Sequence, residues 1–381
     1  MMVQDDGGYV FVNNRRLRTG YTTGACAAAA AKAAAEAVLS GQPVVSVELL
    51  TPKGVSLDLD VEDLVFDSAK ARCAIRKDGG DDIDATHGAL VYAEVVLTEE
   101  GISIDGGEGV GRVTKKGLDQ PVGSAAINRV PRSMIESSLK EIAAAHGYGG
   151  GFDVTITVPE GKTIAPKTFN PRLGIEGGIS VLGTSGIVEP MSEAALVATI
   201  VTEMNVRAEQ GDDVLLVVPG NYGKEFAEGL PGVDPESAVK CSNFVGEMLD
   251  RACILNKDVL LVGNLGKMVK LAGGIMNTHS RNADCRMEIL AAAAIHAGAD
   301  AETAADILGR TTTDDALEAI KEKGLLENVS PILAERIDYH TEHRTGGQIK
   351  VGTIVFSSVY GLLFMTKDAP ALLERVRRQC R

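Results

Sequence analysis

Three short apolar strands, each running into a pair of glycines and then into a helical pattern, constrain this chain more than any other feature. Strand 179–182 leads to Gly183, Thr184, Ser185 and Gly186 and then to a helix over 190–209. Strand 214–218 leads to Gly220, Asn221, Tyr222 and Gly223, and strand 259–262 to Gly263, Asn264, Leu265 and Gly266. Strand, tight turn and helix in alternation predict a parallel sheet with crossover helices, because parallel neighbours need a long connection. Each such turn leaves backbone N–H groups and the positive end of a helix dipole at the carboxyl edge of its strand. Where strand order reverses, that edge opens a crevice. The three turns together outline a nucleotide-sized site, although each taken alone reads more readily as a tight turn. No dinucleotide fingerprint is present, since the position three beyond Gly109 is Arg112, and Lys267 is not preceded by P-loop spacing. Kinase-type phosphoryl transfer and standard NAD binding lose ground accordingly.

Before this region the pattern is different. Thr22 or Thr23 caps a helix that runs through an alanine block to Leu39, with Gly41 as its stop signal. Strands are expected at 44–50, 54–61, 71–76 and 89–97, followed by a helix near 133–146 and a strand at 152–158. Downstream come a helix at 284–297, an amphipathic stretch at 301–323 and a last apolar strand at 351–356. The expected fold class is thus an α+β domain over 1–175, a Rossmann-like parallel β-α domain over 176–300, and a helical region with a final strand over 301–381 that rejoins an earlier sheet. A length of 381 residues suits two or three cores.

Charge narrows the partners. With 52 acidic against 38 basic residues the net charge is −14, which repels nucleic-acid backbones and anionic lipid surfaces. The six cysteines are scattered and form no CxxC pair, so neither a disulfide framework nor a structural zinc site is suggested. The acidic start MMVQDDGGYV lacks the features of a signal peptide, and no apolar run approaches the ~20 residues of a membrane helix. A cytoplasmic protein without membrane or nucleic-acid partners is expected, and a homo-oligomer is compatible with the sequence.

Several clusters carry candidate chemistry. Arg18, Thr22 and Thr23 lie in RTGYTTG just before the alanine helix, where hydroxyls, N–H groups and dipole suit a carboxylate, or serve an ordinary cap. KDGGDDIDATHG brings Asp78, Asp81, Asp82 and Asp84 close to His87; such a loop is either a solvated turn or one that faces a cationic centre. Between residues 112 and 132 the charge reverses: Arg112, Lys115, Lys116, Arg129 and Arg132 stand against Asp119 alone. That stretch is a basic surface loop or a grip for a polycarboxylate. In NTHSR, His279 is the candidate for proton handling and Arg281 an adjacent cation, with a structural histidine as the other reading. His340 and His343 form an HxxH step with no evident third ligand, so no metal site is expected.

Read in order, RTGYTTGACAAAAAKAA, KDGGDDIDATHGAL, VTKKGLDQPVGSAAINRVPRSMI, KTFNPRLGIEGGISVLGTSGIVEPMSE, VPGN, SNFVG and GKMVKLAGGIMNTHSRNAD resemble the cobalt-precorrin-5B C1-methyltransferase family. The likeness runs from about residue 16 to about 295 and is weaker beyond. It implies S-adenosylmethionine as methyl donor, a tetrapyrrole acceptor whose cobalt arrives with the substrate, and a place in cobalamin biosynthesis. For such a reaction the chemistry of the residues, rather than the resemblance, assigns the glycine turns to the donor and Asp78, Asp81 and Asp82 to the donor or to the organisation of their loop. Arg18, Thr22, Thr23, Lys115, Lys116, Arg129, Arg132 and Arg281 are assigned to the ring, and His279 to the proton. The readings left beside it are another nucleotide-using enzyme on an α/β scaffold and a non-catalytic tetrapyrrole carrier.

Overall fold

The computed structural model describes residues 4–5, 8–12 and 14–380, so the reading of the first residues lies partly outside them. The chain divides into two compact units, Met1–Glu193 and Ala194–Arg381.

In the first unit, a five-stranded sheet carries the order Ile102–Gly106, Gly151–Thr157, Leu90–Thr98, Lys70–Arg76, Glu62–Phe66. Only the pairing of the first two strands is parallel. The alanine helix, Thr23–Ser40, packs on this sheet and on the helix Arg129–His146. Thr22 caps it by accepting from the Ala25 N–H, and Gly41 ends it in the left-handed conformation, at φ 66°. All ten of its alanines are 0% exposed. A helix buried on every side needs no polar face, and its methyl groups let helix and sheet backbones approach closely. Cys73 Sγ, from a sheet strand, reaches the Ala30 carbonyl at 3.2 Å.

The second unit holds a sheet in the order Val239–Lys240, Val214–Val218, Asp258–Asn264, Val351–Ser357, Gly361–Met365, all parallel except the last pairing. Its strands are buried on both faces, which explains their continuous apolar runs. Leu215, Val217, Val259, Leu261, Val351 and Val355 face one set of helices, among them Val245–Leu255, Leu265–Ala272, Arg286–His296 and Leu326–Thr345. Val214, Leu216, Val218, Leu260, Val262, Ile354 and Phe356 face Asn221–Glu228 and Ala369–Gln379. The strand expected at 351–356 thus joins this sheet beside Asp258–Asn264, and Gly361–Met365 follows it at the edge.

Two expectations are corrected. The segment 179–182 does not enter the parallel sheet of the second unit: Gly178–Ile179 pairs with Gly109–Val110, and Val181 bridges Ile127. Ile187–Val188 pairs back to Gly20–Tyr21. These long-range pairings hold 176–190 in the first unit, so the division falls after Glu193 and not after 175. The amphipathic stretch 301–323 is two helices, Ala301–Gly309 and Thr313–Glu322, the second opened by a Thr312–Asp315 capping box.

Candidate donor and ring sites

Two of the three glycine turns lie at the point where the second unit's sheet changes direction. From Val214–Val218 the chain passes through Asn221–Glu228 to the strand Val239–Lys240 on one side. It then returns through Val245–Leu255 to Asp258–Asn264 on the other side. Adjacent parallel strands whose connections leave in opposite directions open a crevice at their carboxyl ends, and the turns at 220–223 and 263–266 flank it. Gly223 and Gly263 have packing reasons: a Cβ there would lie 2.7 Å from the Val262 carbonyl oxygen and 2.7 Å from Met268 Sδ, respectively. Gly220 faces open space instead. Asn264 caps its helix through the Gly266 N–H at 2.9 Å, and Lys240 Nζ donates to Asn221 Oδ1 at 2.8 Å. Lys267, which follows the third turn without P-loop spacing, is half-buried at this edge. Its ammonium has only the Ser242 carbonyl, at 3.4 Å, as a hydrogen-bond acceptor among the described residues. Burial lowers its pKa.

The NTHSR loop stands beside the loop that follows Val239–Lys240. Asn277 bridges Phe244, and the Thr278 N–H donates to the Asn243 carbonyl at 2.9 Å. Lys270, 2% exposed, donates to the carbonyls of Thr278 at 3.0 Å and Ala283 at 2.9 Å and so pins both ends of the loop. His279 is exposed, and its Nδ1 accepts the Arg281 backbone N–H at 3.1 Å. An Nδ1 that accepts carries no proton, so the neutral ring holds its proton on Nε2 and presents a donor. The Arg281 side chain is exposed, with no ion-pair partner among the described residues.

The first unit uses most of the other candidates internally. Thr22 and Thr23 are buried; Thr22 Oγ1 caps the helix, and Thr23 Oγ1 exchanges hydrogen bonds with Leu182 N and O at 3.0 and 3.2 Å. The turn Gly183–Gly186 packs on the same segment: the Thr22 N–H donates to the Gly186 carbonyl at 3.0 Å, and a Cβ on Gly183 would meet Thr22 at 2.2 Å. Thr184 and Ser185 belong to this turn, with Ser185 Oγ donating to the Ile187 carbonyl at 2.9 Å. It therefore does not join the other two turns in one sheet.

Arg18 grips Asp78 with two nitrogens at 2.5 and 2.9 Å. That guanidinium holds the Asp78 carboxyl below the usual carboxylate range. Asp81 accepts the Arg18 backbone N–H at 2.6 Å, and Asp82 the Met191 N–H at 3.0 Å. Asp84 pairs with Lys77, 2% exposed, at 2.7 Å. Burial alone would raise Asp84; the lysine and the Thr86 contacts outweigh it and hold the carboxyl low. The acidic loop thus finds its cations within the unit.

In the basic segment, Arg112 makes a two-pronged pair with Asp105 at 2.7 and 2.9 Å. Arg132 donates to the carbonyls of Ile127 at 2.9 Å and Ile104 at 2.7 Å, and Lys115 to that of Arg172 at 3.4 Å. Arg129 and Lys116 are exposed and have no ion-pair partner among the described residues. His340 accepts from Arg336 at 2.7 Å, and among the described residues no group of three metal-ligating side chains is assembled.

A sheet of this order, with glycine turns at its switch point, is of the class that binds nucleotide-sized ligands at strand ends. Comparison with known proteins then gives the family. A CbiD profile matches residues 10–190, and a profile described as the CbiD C-terminal domain matches residues 277–367. The chain is 47% identical over 352 residues to a cobalt-precorrin-5B C(1)-methyltransferase of Ruminiclostridium cellulolyticum, covering 92% of each. It is 44% identical over 373 residues to one of Alkaliphilus metalliredigens, covering 97% of this chain and 98% of that one. The chain belongs to this family, the CbiD cobalt-precorrin-5B C(1)-methyltransferases. A crystal structure of the cobalamin biosynthesis protein of Archaeoglobus fulgidus is 28% identical, covers 74% of this chain and 92% of its own, and superposes with a TM-score of 0.41.

Proposed function

We propose that this protein transfers a methyl group from S-adenosylmethionine to ring carbon C1 of cobalt-precorrin-5B, with the donor seated in the second unit at the switch point of a Rossmann-like sheet. The observation that carries the donor assignment is the crevice between Val214–Val218 and Asp258–Asn264, with Gly220 open to it and Lys267 beside it without a carboxylate partner among the described residues. Lys267 supplies the charge for the donor's carboxylate, and the N–H groups at the start of Asn221–Glu228 supply donors.

The chemistry is an in-line displacement. The π electrons of the ring attack the methyl carbon, the C–C bond forms as the C–S bond breaks, the C–S pair stays on sulfur as a neutral thioether, and the positive charge passes to the ring, which releases it as a proton to solvent. No oxidant or reductant is required. Cobalt enters as part of the substrate. Alignment of the two reactants does most of the work and can supply several of the ~7–11 kcal/mol available from proximity and orientation. Asp78, Asp81 and Asp82 organise their loop through Arg18 and Met191. His279 acts through Nε2–H as a hydrogen-bond donor to the ring substrate, because its Nδ1 is already taken by the Arg281 N–H. Among the described residues Arg129 and Lys116 in the first unit, and Arg281 in the second, have no ion-pair partner, which leaves each available to a carboxylate in its own unit.

Anaerobic incubation with cobalt-precorrin-5B and labelled donor tests the reaction: mass analysis should find one labelled methyl group on the ring. Binding of the ring without methyl gain would instead make the protein a carrier. Gly220→Val tests the donor site without a packing clash. It should weaken donor binding by about tenfold, the upper range for an anion at a helix N-terminus, in calorimetry; unchanged affinity would place the donor elsewhere.

A further inference from the structure

Resting on that reading, we infer that the tetrapyrrole sits in a groove of the first unit between residues Leu49–Pro52, at the turn of the antiparallel hairpin Ser46–Leu50/Ser56–Asp60, and the exposed face of the helix Arg129–His146, with a carboxylate arm on Arg129. The groove encloses about 540 Å³, within the ~300–1,000 Å³ usual for ligand sites. Leu49, Leu50, Val130 and Met134 give it apolar walls, and Leu50 is 70% exposed although hydrophobic. A tetrapyrrole is a flat apolar ring edged with acetate and propionate arms. Apolar walls with a cation at the rim match that chemistry, and the exposed hydroxyls of Ser133 and Ser137 lie among them for further acetate or propionate arms.

Charge at the rim supports the same occupant. Of the five cations the sequence offers between 112 and 132, Arg112, Lys115 and Arg132 are engaged with other groups, Lys116 is exposed outside this groove, and Arg129 lines it. Asp119 lies close, but its carboxylate accepts the Arg129 backbone N–H at 2.5 Å. Glu141, the acid in the lining, is held by Lys32 at 2.9 Å. The hairpin wall also adjoins the Gly183–Gly186 turn, since a Cβ on Gly186 would lie 2.7 Å from the Thr51 side chain. The wall and the turn are therefore fixed against each other, and the groove has a rigid side.

The experiment is an anaerobic titration of the intact protein with cobalt-precorrin-5B, followed by its visible absorption, in the wild type, Arg129→Ala and Ser137→Trp. Ser137 is exposed on the helix face that lines the groove, so tryptophan fills the space without entering the core. Both variants should raise the ring's dissociation constant about tenfold or more, and Arg129→Ala should also flatten its dependence on salt. S-adenosylmethionine affinity and thermal unfolding should stay at wild-type values. Ring affinity unchanged in both variants overturns the groove, even if the wild type methylates the ring; a wild type that binds donor and ring without methyl transfer overturns the reaction and leaves the groove standing.

Discussion

Asp78 shows how a charge-rich loop is stabilised and how acid should undo it. Its hydrogen bonds from Arg18 lower its folded pKa, while the unfolded chain titrates near ~3.9. The stabilisation is therefore complete above the unfolded value and is lost as pH falls through the lowered folded one. Asp78→Asn should be less stable than the wild type at pH 7 and should show a shallower acid limb, with the two curves converging at low pH in denaturant titrations. His279 gives a second prediction, because glutamine places an amide N–H near the position of Nε2 but cannot take up a proton. His279→Ala should lower turnover by ~10-fold or more with donor affinity unchanged, within the range for a lost charge-directed hydrogen bond. His279→Gln should restore most of the turnover; equal loss in both variants would return the histidine to a base role. The sequence showed which residue types cluster but not which were already committed. Arg18 and Asp78 lie 60 positions apart, and Arg132 spends its guanidinium on carbonyls, a use that leaves no pattern in composition.

At the scale of elements, the alanine helix is the strictest test of packing. Ala30→Leu would push three extra carbons into a core where Ala30 is 0% exposed, and overpacking of a close-packed core costs roughly 1–3 kcal/mol. A fall in the denaturation midpoint with an unchanged slope is the expected result; a leucine tolerated without loss would mean that the helix has slack. This helix was readable from its Thr cap, alanine run and Gly stop, and the central strands from their apolar runs. Leu326–Thr345 lies in the region expected to be helical, but its bounds were not legible for a physical reason. Its buried stripe is Val329, Leu333, Ile337, Thr341 and Thr345, so polar threonines complete the face, and Pro331 lies within it. Glu62–Phe66 and Ile102–Gly106 are edge strands of their sheet, with alternating partial burial and no strong apolar signal. The 179–182 segment misled because a strand followed by glycines looks alike whichever sheet its partner belongs to.

For the whole molecule, the two units have separate apolar cores, one built from residues up to Val181 and the others from Ile200 onward. Separate cores make a single cooperative transition unexpected. Calorimetry should give a van't Hoff enthalpy below the calorimetric one, and saturating S-adenosylmethionine should raise only the component assigned to the second unit; one sharp transition lifted as a whole would mean that the units unfold together. Among the described residues no helix is long and apolar enough to cross a membrane. The second unit's sheet closes on one side with Gly361–Met365, whose sequence GLLFM carries no charge and whose Leu362 is 50% exposed. Sheet edges of that kind are templates for unwanted strand pairing. In the native protein the hairpin with Val351–Ser357 occupies one side of it, but a chain emerging from denaturant offers both sides before its partner arrives. Recovery on refolding should therefore fall steeply with protein concentration, with self-association through this short hydrophobic window competing against the return of the enzyme.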